Sequence, residues 1–325
     1  MKKLVSMIIL VTLLIAITSI VMKNRPKKRS IVMPVNEKTA LFISGSKQEI
    51  KSYLESPKAT VRSYDYYLVI INNRLDILEM ILKDFGYDPS NLIGNDYSPL
   101  LDAVEELKPK AVELLIKYGA DVNAKDSYGN SALVLATKIA FGIPSHKPKS
   151  RKISKMLIDA GADVNYLGKR YTPIGGALYS NDIENLKYIV DHGGDVKFTS
   201  KSGSSYMFSC FSLNCILYFR EKGLEINAVN NQGTNVIQNA VTGRIDKAEE
   251  LTKLIELGAD ICHKDNEGLN IINYIEKAGM NPHWKTDKPK FYQKKLDESR
   301  NTELYKYLEK EYNKTCLENP DILND

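Results

Sequence analysis

Gly119-Ala120-Asp121-Val122-Asn123 is the stretch on which the fold turns, because it comes back. It returns as Gly161-Ala162-Asp163-Val164-Asn165 and Gly193-Gly194-Asp195-Val196. It wears down to Gly223-Leu224-Glu225-Ile226-Asn227 and recovers as Gly258-Ala259-Asp260-Ile261, and Gly86-Tyr87-Asp88 is an earlier echo. From glycine to glycine the intervals are 33, 42, 32, 30 and 35 residues. A phrase recurring near 33 residues marks a protein built of stacked repeats. Each unit then contacts only its neighbours, and the stack presents extended surface.

Residues 97–130 show how one unit is built. Ser98-Pro99 opens a helix, since proline suits the first helical turn. Leu100, Leu101, Ala103 and Val104 supply its buried stripe. Lys108-Pro109 breaks it and starts a second helix, in which Val112, Leu115 and Ile116 recur at amphipathic spacing. Gly119 stands where a helix end needs a left-handed residue. Asp121 to Gly129 form an extended loop with turn chemistry at its tip, Asp126-Ser127-Tyr128-Gly129-Asn130.

These residues resemble the ankyrin repeat, whose T-P-L-H-x-A opening is followed downstream by a G-A-D-V-N loop. The opening stands here as Ser98-Pro99-Leu100, as Ser131-Ala132-Leu133 with Leu135-Ala136, and as Thr172-Pro173-Ile174. The likeness covers residues 64–270 and implies an all-α ankyrin-repeat solenoid of about six repeats. Three departures stand out. The opening histidine is missing from every repeat. In the family it helps tie neighbouring loops, so its loss puts loop rigidity in question. The repeat at 131–170 is about nine residues longer than 33 and holds the basic segment Gly142 to Lys152. The repeat at 205–234 is short, and its opening Ser205-Tyr206-Met207-Phe208 and turn at 212–214 fit the pattern poorly.

The expected organisation is a membrane helix or signal anchor over 1–23, a polar linker over 24–37, capping helices over 38–63, repeats over 64–269, and a C-terminal cap and tail over 270–325. Exposed ends of a stack need such caps. Helices are expected at Asn270 to Lys277 and from about Tyr292, with Leu304, Leu308 and Tyr312 packing back. Pro282, Trp284 and Pro289 mark an irregular stretch between them.

Leu4 to Met22 is an apolar run of about the length that spans ~30 Å of hydrocarbon. Lys2 and Lys3 precede it, and Arg25, Lys27, Lys28 and Arg29 follow. It reads as an uncleaved anchor, with a cleaved signal peptide as the alternative. The flanking charges favour a cytoplasmic body, whereas the short basic start has the form of an export signal. The reading adopted is a body outside the cytoplasm, with the cytoplasmic face as alternative. The Lys-, Asn-, Ile- and Tyr-rich usage suits an AT-rich bacterial genome.

Charge and chemistry exclude more than they propose. The net charge of +5 in 325 residues gives no reason to expect nucleic acid. His146, His192, His263 and His283 stand in no metal-ligand spacing. There is no phosphate loop and no G-x-S-x-G, so neither an enzyme nor a cofactor is expected. Gly175-Gly176 reads as a close-packing pair in a helix. Cys210, Cys215, Cys262 and Cys316 are too few for a disulfide framework in a chain this long. For Cys210 and Cys215 the plainer reading is free core thiols, with a local disulfide in an oxidising compartment as the alternative. Asn313-Lys314-Thr315 matches a glycosylation acceptor of the kind one chance match supplies.

What remains is binding. His146 to Lys152 is either a solvated loop or a contact for an acidic partner or anionic lipid. Tyr128, Tyr166, Tyr171 and Phe198 fall at or near loop tips. They either cover the neighbouring loop or form, with Asp126, Lys169, Arg170, Lys201, Asn231 and Lys264, a strip that grips a protein. The expected function is a non-catalytic, membrane-tethered or exported protein-binding module. It would act through its concave face and loop tips. Two narrower readings follow: an immunity protein masking a bacterial toxin, or a scaffold for an endogenous membrane protein.

Overall fold

A computed structural model describes residues 37–57, 59–90, 98–210, 212–241, 248–279 and 303–318. The anchor expected over 4–22 and residues 24–36 of its linker lie outside them, as do His283, Pro282, Trp284, Pro289 and the start of the helix expected near Tyr292; Glu37, the last linker residue expected, already begins a helix. Among the described residues no helix is long and apolar enough to cross a membrane. The chain divides into two compact units that meet between Asp126 and Ser127.

The described residues of the first unit form three helix pairs. α1 (Glu37–Ser44) and α2 (Lys47–Leu54) turn at Gly45-Ser46, as expected of a starter pair. The Ser46 hydroxyl accepts the Glu49 N–H at 3.2 Å, and the Glu49 carboxylate accepts the Ser46 N–H at 2.6 Å. This reciprocal cap satisfies two donors that a helix start leaves open. α3 (Ser63–Ile71) is followed by α4 (Leu75–Glu79), which runs on as a π-helical turn, Met80–Asp84. The Arg74 guanidinium donates to the carbonyls of Phe42 and Gly45, at 3.3 and 2.6 Å, and so ties the first pair to the second. α5 (Pro99–Glu105) and α6 (Pro109–Lys117) both start on proline, as the sequence predicts. Lys108 between them reaches back to the Ile71 carbonyl at 3.1 Å. Ala111, Val112 and Leu115 bury one stripe of α6.

The second unit continues the scheme with α7 (Ala132–Lys138), α8 (Lys147–Asp159), α9 (Pro173–Tyr179), α10 (Ile183–Asp191), α11 (Leu213–Glu221), α12 (Val236–Ala240), α13 (Ala248–Glu256), α14 (Ile271–Gly279) and α15 (Glu303–Tyr312). Side chains of Ser131, Thr172, Asp182 and Asn235 cap their helices, each accepting the N–H three residues on. Gly176 earns its place: a Cβ there would collide with Thr137 Oγ1 on α7. Gly175 meets nothing closer than 3.4 Å, so only one glycine of the pair is required by packing. Among the described residues there are helices, turns and isolated antiparallel bridges, such as Thr199 with Ser205 and Val229 with Asn235. Those bridges close the extended loops into fingers.

Three expectations change. The basic segment is not a solvated loop. Pro144–His146 form a 3-10 turn, and Lys147 begins a helix of 13 residues. Arg151 Nε lies 2.8 and 3.0 Å from the two oxygens of buried Asp182, and its guanidinium also meets Glu184. Lys147 donates to the Asn181 carbonyl at 2.8 Å. The insertion thus lengthens a helix and locks it to the next repeat.

The cysteines are not free thiols. Cys210 pairs with Cys215, and Cys262 with Cys316. The first closes the poorly fitting turn, where the opening helix has shrunk to a 3-10 turn, Tyr206–Ser209. The second staples the finger after α13 to the π-helical turn Asn313–Leu317 that follows α15. Leu308 and Tyr312 of α15 are buried, as their spacing predicts; the Leu304 side chain lies outside the described residues.

Finger rigidity, the third expectation, is settled by the bonds between the fingers themselves.

Candidate partner-binding surface

Each finger begins where a helix ends on a left-handed glycine. Gly119, Gly161, Gly193, Gly223 and Gly258 have φ between 89° and 95° except Gly223 at 87°. An L side chain is strained there, which is why this position of the phrase never varies. The aspartate two residues on turns the chain: the carboxylates of Asp121, Asp163, Asp195 and Asp260 each accept the N–H two residues ahead at 2.8–2.9 Å.

The fifth residue of the phrase does the work expected of the missing histidine. Asn165 Nδ2 donates to the Gly193 carbonyl at 3.0 Å, and its Oδ1 accepts the Asp195 N–H at 2.7 Å. Asn227 repeats both bonds to Gly258 and Asp260, at 2.8 and 2.9 Å. In the first unit Ser90 makes the same pair to Gly119 and Asp121, at 3.2 and 2.9 Å. At the histidine position itself, Gln238 Nε2 donates to the carbonyls of His263 and Leu269, at 3.1 and 2.9 Å. His263 in turn donates from Nε2 to the Gly233 carbonyl at 2.6 Å. The fingers are tied without the family's histidine.

A second tier of bonds runs at the tips. The Asn231 N–H donates to the Ser202 carbonyl at 2.9 Å and its Nδ2 to the Lys201 carbonyl at 3.2 Å. One finger further, the Asn266 N–H donates to the Gln232 carbonyl at 3.0 Å and its Nδ2 to the Asn231 carbonyl at 3.1 Å. Gly203 and Gly233 leave room for these asparagines: a Cβ on either would strike the amide it faces.

The sequence-predicted strip therefore splits. Lys201, Asn231 and Lys264 stand exposed on successive tips, and Lys169, Arg170 and Tyr128 are exposed as well. Tyr166, Tyr171 and Phe198 are half-buried and cover neighbouring structure. The Tyr166 hydroxyl donates to the Gly129 carbonyl at 3.0 Å. Phe198 stacks on Tyr206 at 5.5 Å, and Tyr171 lies 5.1 Å from Tyr179. Asp126 is half-buried and ends the first unit. Tyr206 is pushed up to about 12 by burial, against a lowering hydrogen bond from Thr172 at 2.5 Å. His192 caps α10, donating from Nδ1 to the Tyr188 carbonyl at 2.8 Å while stacking on that ring.

Two exposed groups escaped the sequence reading. Phe141 is 49% exposed and stacks on Tyr179 at 4.0 Å; Leu167 is 57% exposed on the next finger. Phe141 sits directly before the inserted segment Gly142 to Lys152, where no repeat pattern assigns it a place.

Residues 66–167 match the family model for ankyrin repeats, in three copies. The human ankyrin repeat and SOCS box protein 6 is 35% identical over 121 residues, which are 35% of this chain and 27% of that protein. A putative ankyrin repeat protein of Acanthamoeba polyphaga mimivirus is 25% identical over 244 residues, 66% of this chain and 30% of the viral one. The matches thus span about a quarter to a third of those relatives' lengths. Among solved structures, the human ASB11 ankyrin repeat domain aligns with a TM-score of 0.56 at 14% identity, covering 75% of this chain and 95% of that one. The Bcl-3 ankyrin repeat domain aligns at 0.51 and 21%, covering 64% and 92%. A complex of a predatory endopeptidase from Bdellovibrio bacteriovorus with an immunity protein aligns at 0.50 and 17%, covering 65% and 96%. At such identities the structural likeness speaks for the fold alone. With its helix pairs, its left-handed glycines and the family match over residues 66–167, the chain carries ankyrin repeats.

Proposed function

We propose that this chain is a non-catalytic binder of one protein partner, exported and held at the membrane through residues 4–22. Ankyrin repeats are protein-interaction modules. The observation that carries the reading is the double tier of bonds between fingers. It holds Lys201, Asn231 and Lys264 in fixed succession before any partner arrives. A surface ordered in advance loses less entropy on binding. Export is supported by the two disulfides, which persist in oxidising compartments and are rare in reducing ones. The test is in-cell cross-linking of the full chain carrying a photoreactive residue at 201 or 231. One stoichiometric protein adduct, weakened by Tyr128→Ala with Lys169→Ala, is expected. No adduct at any finger position overturns the reading.

An immunity or inhibitor role is the second reading. Its support is the likeness to a complex that holds an immunity protein, together with the disulfides suited to the cell envelope. Under this reading the partner is a toxin, and the chain protects cells only when the toxin is delivered outside the cytoplasm. Equal protection by a chain lacking residues 1–23 would sink the envelope part of it. A scaffold for an endogenous membrane protein would instead show its adduct in cells that meet no toxin.

A further inference from the structure

We propose that the ring stack Phe141–Tyr179–Tyr171 anchors an acidic segment of the partner that carries apolar side chains. The proposal deepens the protein-binding reading and rests on it.

The geometry comes first. Phe141 lies over Tyr179 with centroids 4.0 Å apart and planes 20° from parallel, and Tyr179 meets Tyr171 at 5.1 Å. Tyr171 and Tyr179 bracket α9 and are half-buried, while Phe141 caps the stack with half its surface in water. A large rigid ring held in place by stacking offers contact area with little rotamer entropy left to lose. Ile143, 44% exposed, follows two residues later.

Charge then selects the occupant. From Ser127 to Ile158 there is no Asp or Glu, and from Val164 to Asn181 there is none again; Asp159 and Asp163 are the carboxylates between. Six lysines and arginines fall in the first stretch, and Lys169 and Arg170 in the second. Those eight cations against two carboxylates exceed the net +5 of the whole chain, so the rest of the molecule is nearly balanced. Arg151 is taken up by Asp182 and Glu184. Lys169 and Arg170 are exposed and have no ion-pair partner among the described residues. Arg170 is within electrostatic reach of the stack: burial raises the Tyr171 hydroxyl's pKa, Tyr179 adds to this, and Arg170 lowers it. A local excess of positive charge steers and orients a segment of opposite sign.

Single-stranded nucleic acid also likes cations beside rings. Here the rings are already stacked on each other, so a base finds one outer face, that of Phe141, and no slot between rings. A peptide side chain lying across Phe141 and Ile143 needs no slot.

The test selects from a display library of random 12-residue peptides on the immobilised full chain, followed by fluorescence anisotropy of the most enriched peptide. Enriched peptides are expected to combine Asp or Glu with aromatic or large aliphatic residues. Phe141→Ser and the pair Lys169→Glu with Arg170→Glu should each weaken that peptide about tenfold, a typical loss for an anchor residue. Lys310→Glu on α15 should leave it unchanged. Phe141→Leu, which keeps apolar area but not the stacking, should fall between. Because Phe141 is half-exposed, its variants are expected to fold, and circular dichroism checks this. Peptides without acidic bias, unchanged binding by Phe141→Ser, or tighter binding of an oligothymidine than of the peptide overturns the proposal. If these arms fail while the finger cross-link persists, the inference falls and the protein-binding reading stands. If no protein cross-links at all, that reading falls.

Discussion

Asn165 holds Asp195 of the next repeat by its backbone, accepting the N–H at 2.7 Å while donating to Gly193 at 3.0 Å. The two bonds span neighbouring fingers through one side chain. Where the phrase is worn, Lys197 stands in the asparagine's place and cannot accept a bond. Asn165→Ala should therefore cost about 1–2 kcal/mol, two exposed hydrogen bonds at the usual net worth. Lys197→Asn should recover about 0.5–1 kcal/mol by reaching the phrase at Gly223. Urea unfolding followed by circular dichroism measures both. A destabilising Lys197→Asn would mean the lysine serves packing at that finger.

Gly176 and Thr137 form a second tight pair. Gly176→Ala should destabilise by about 1–3 kcal/mol, as overpacking does. Thr137→Ala removes the hydroxyl that the new methyl meets. The double variant should then be more stable than the sum of the single effects implies, by about 1 kcal/mol. Strict additivity would show that the backbone at Lys138, not the hydroxyl, sets the limit.

The repeat architecture was legible because its signals are local. A left-handed glycine, an aspartate that turns the chain and a proline that opens a helix each act within a few residues. Gly119, Asp121 and Pro109 stand where their chemistry says. The ties between fingers were legible in part, since asparagine or serine ends the phrase at 90, 123, 165 and 227. Their bonds join residues about 30 apart, and that register needs the stack. Phe141 on Tyr179 joins residues 38 apart across an insertion, where no repeat pattern reaches. The helix start at Lys147 was hidden by Pro144 and Pro148, which read as loop until one sees that Pro148 occupies a first turn. The Cys210–Cys215 bond was legible as an alternative to free thiols, whereas the Cys262–Cys316 pair was hidden because spacing alone does not fix which side chains meet.

Stability should fall in alkali through Tyr206. Its hydroxyl is raised from 10 to about 12, chiefly by burial. In the unfolded chain the phenol ionises near pH 10, whereas in the fold it stays neutral until about 12. A raised folded pKa means full stability below pH 10 and loss as pH climbs from 10 to about 12. Tyr206→Phe, which has no proton to lose, should flatten the fall of the unfolding midpoint over that window. An equal slope in the variant would assign the loss to other tyrosines, Tyr66 first, whose pKa burial also raises.

The two disulfides should differ in worth by the loops they close. Cys262 and Cys316 are 54 residues apart, Cys210 and Cys215 only 5. The loop-entropy relation gives about 4 kcal/mol for the long loop and about 2 kcal/mol for the short one. Cys262→Ser with Cys316→Ser should therefore lower the urea midpoint about twice as far as Cys210→Ser with Cys215→Ser. The long pair should also free α15, since Cys316 ties the turn after it to the finger that follows α13. Amide exchange along α15 should then speed up in the long-pair variant, while α7 and α8 keep their protection, because repeats of a stack open from an end without unfolding the whole. If the fast exchange appeared instead along α11, the short disulfide beside Leu213 would be the element that holds the irregular repeat closed.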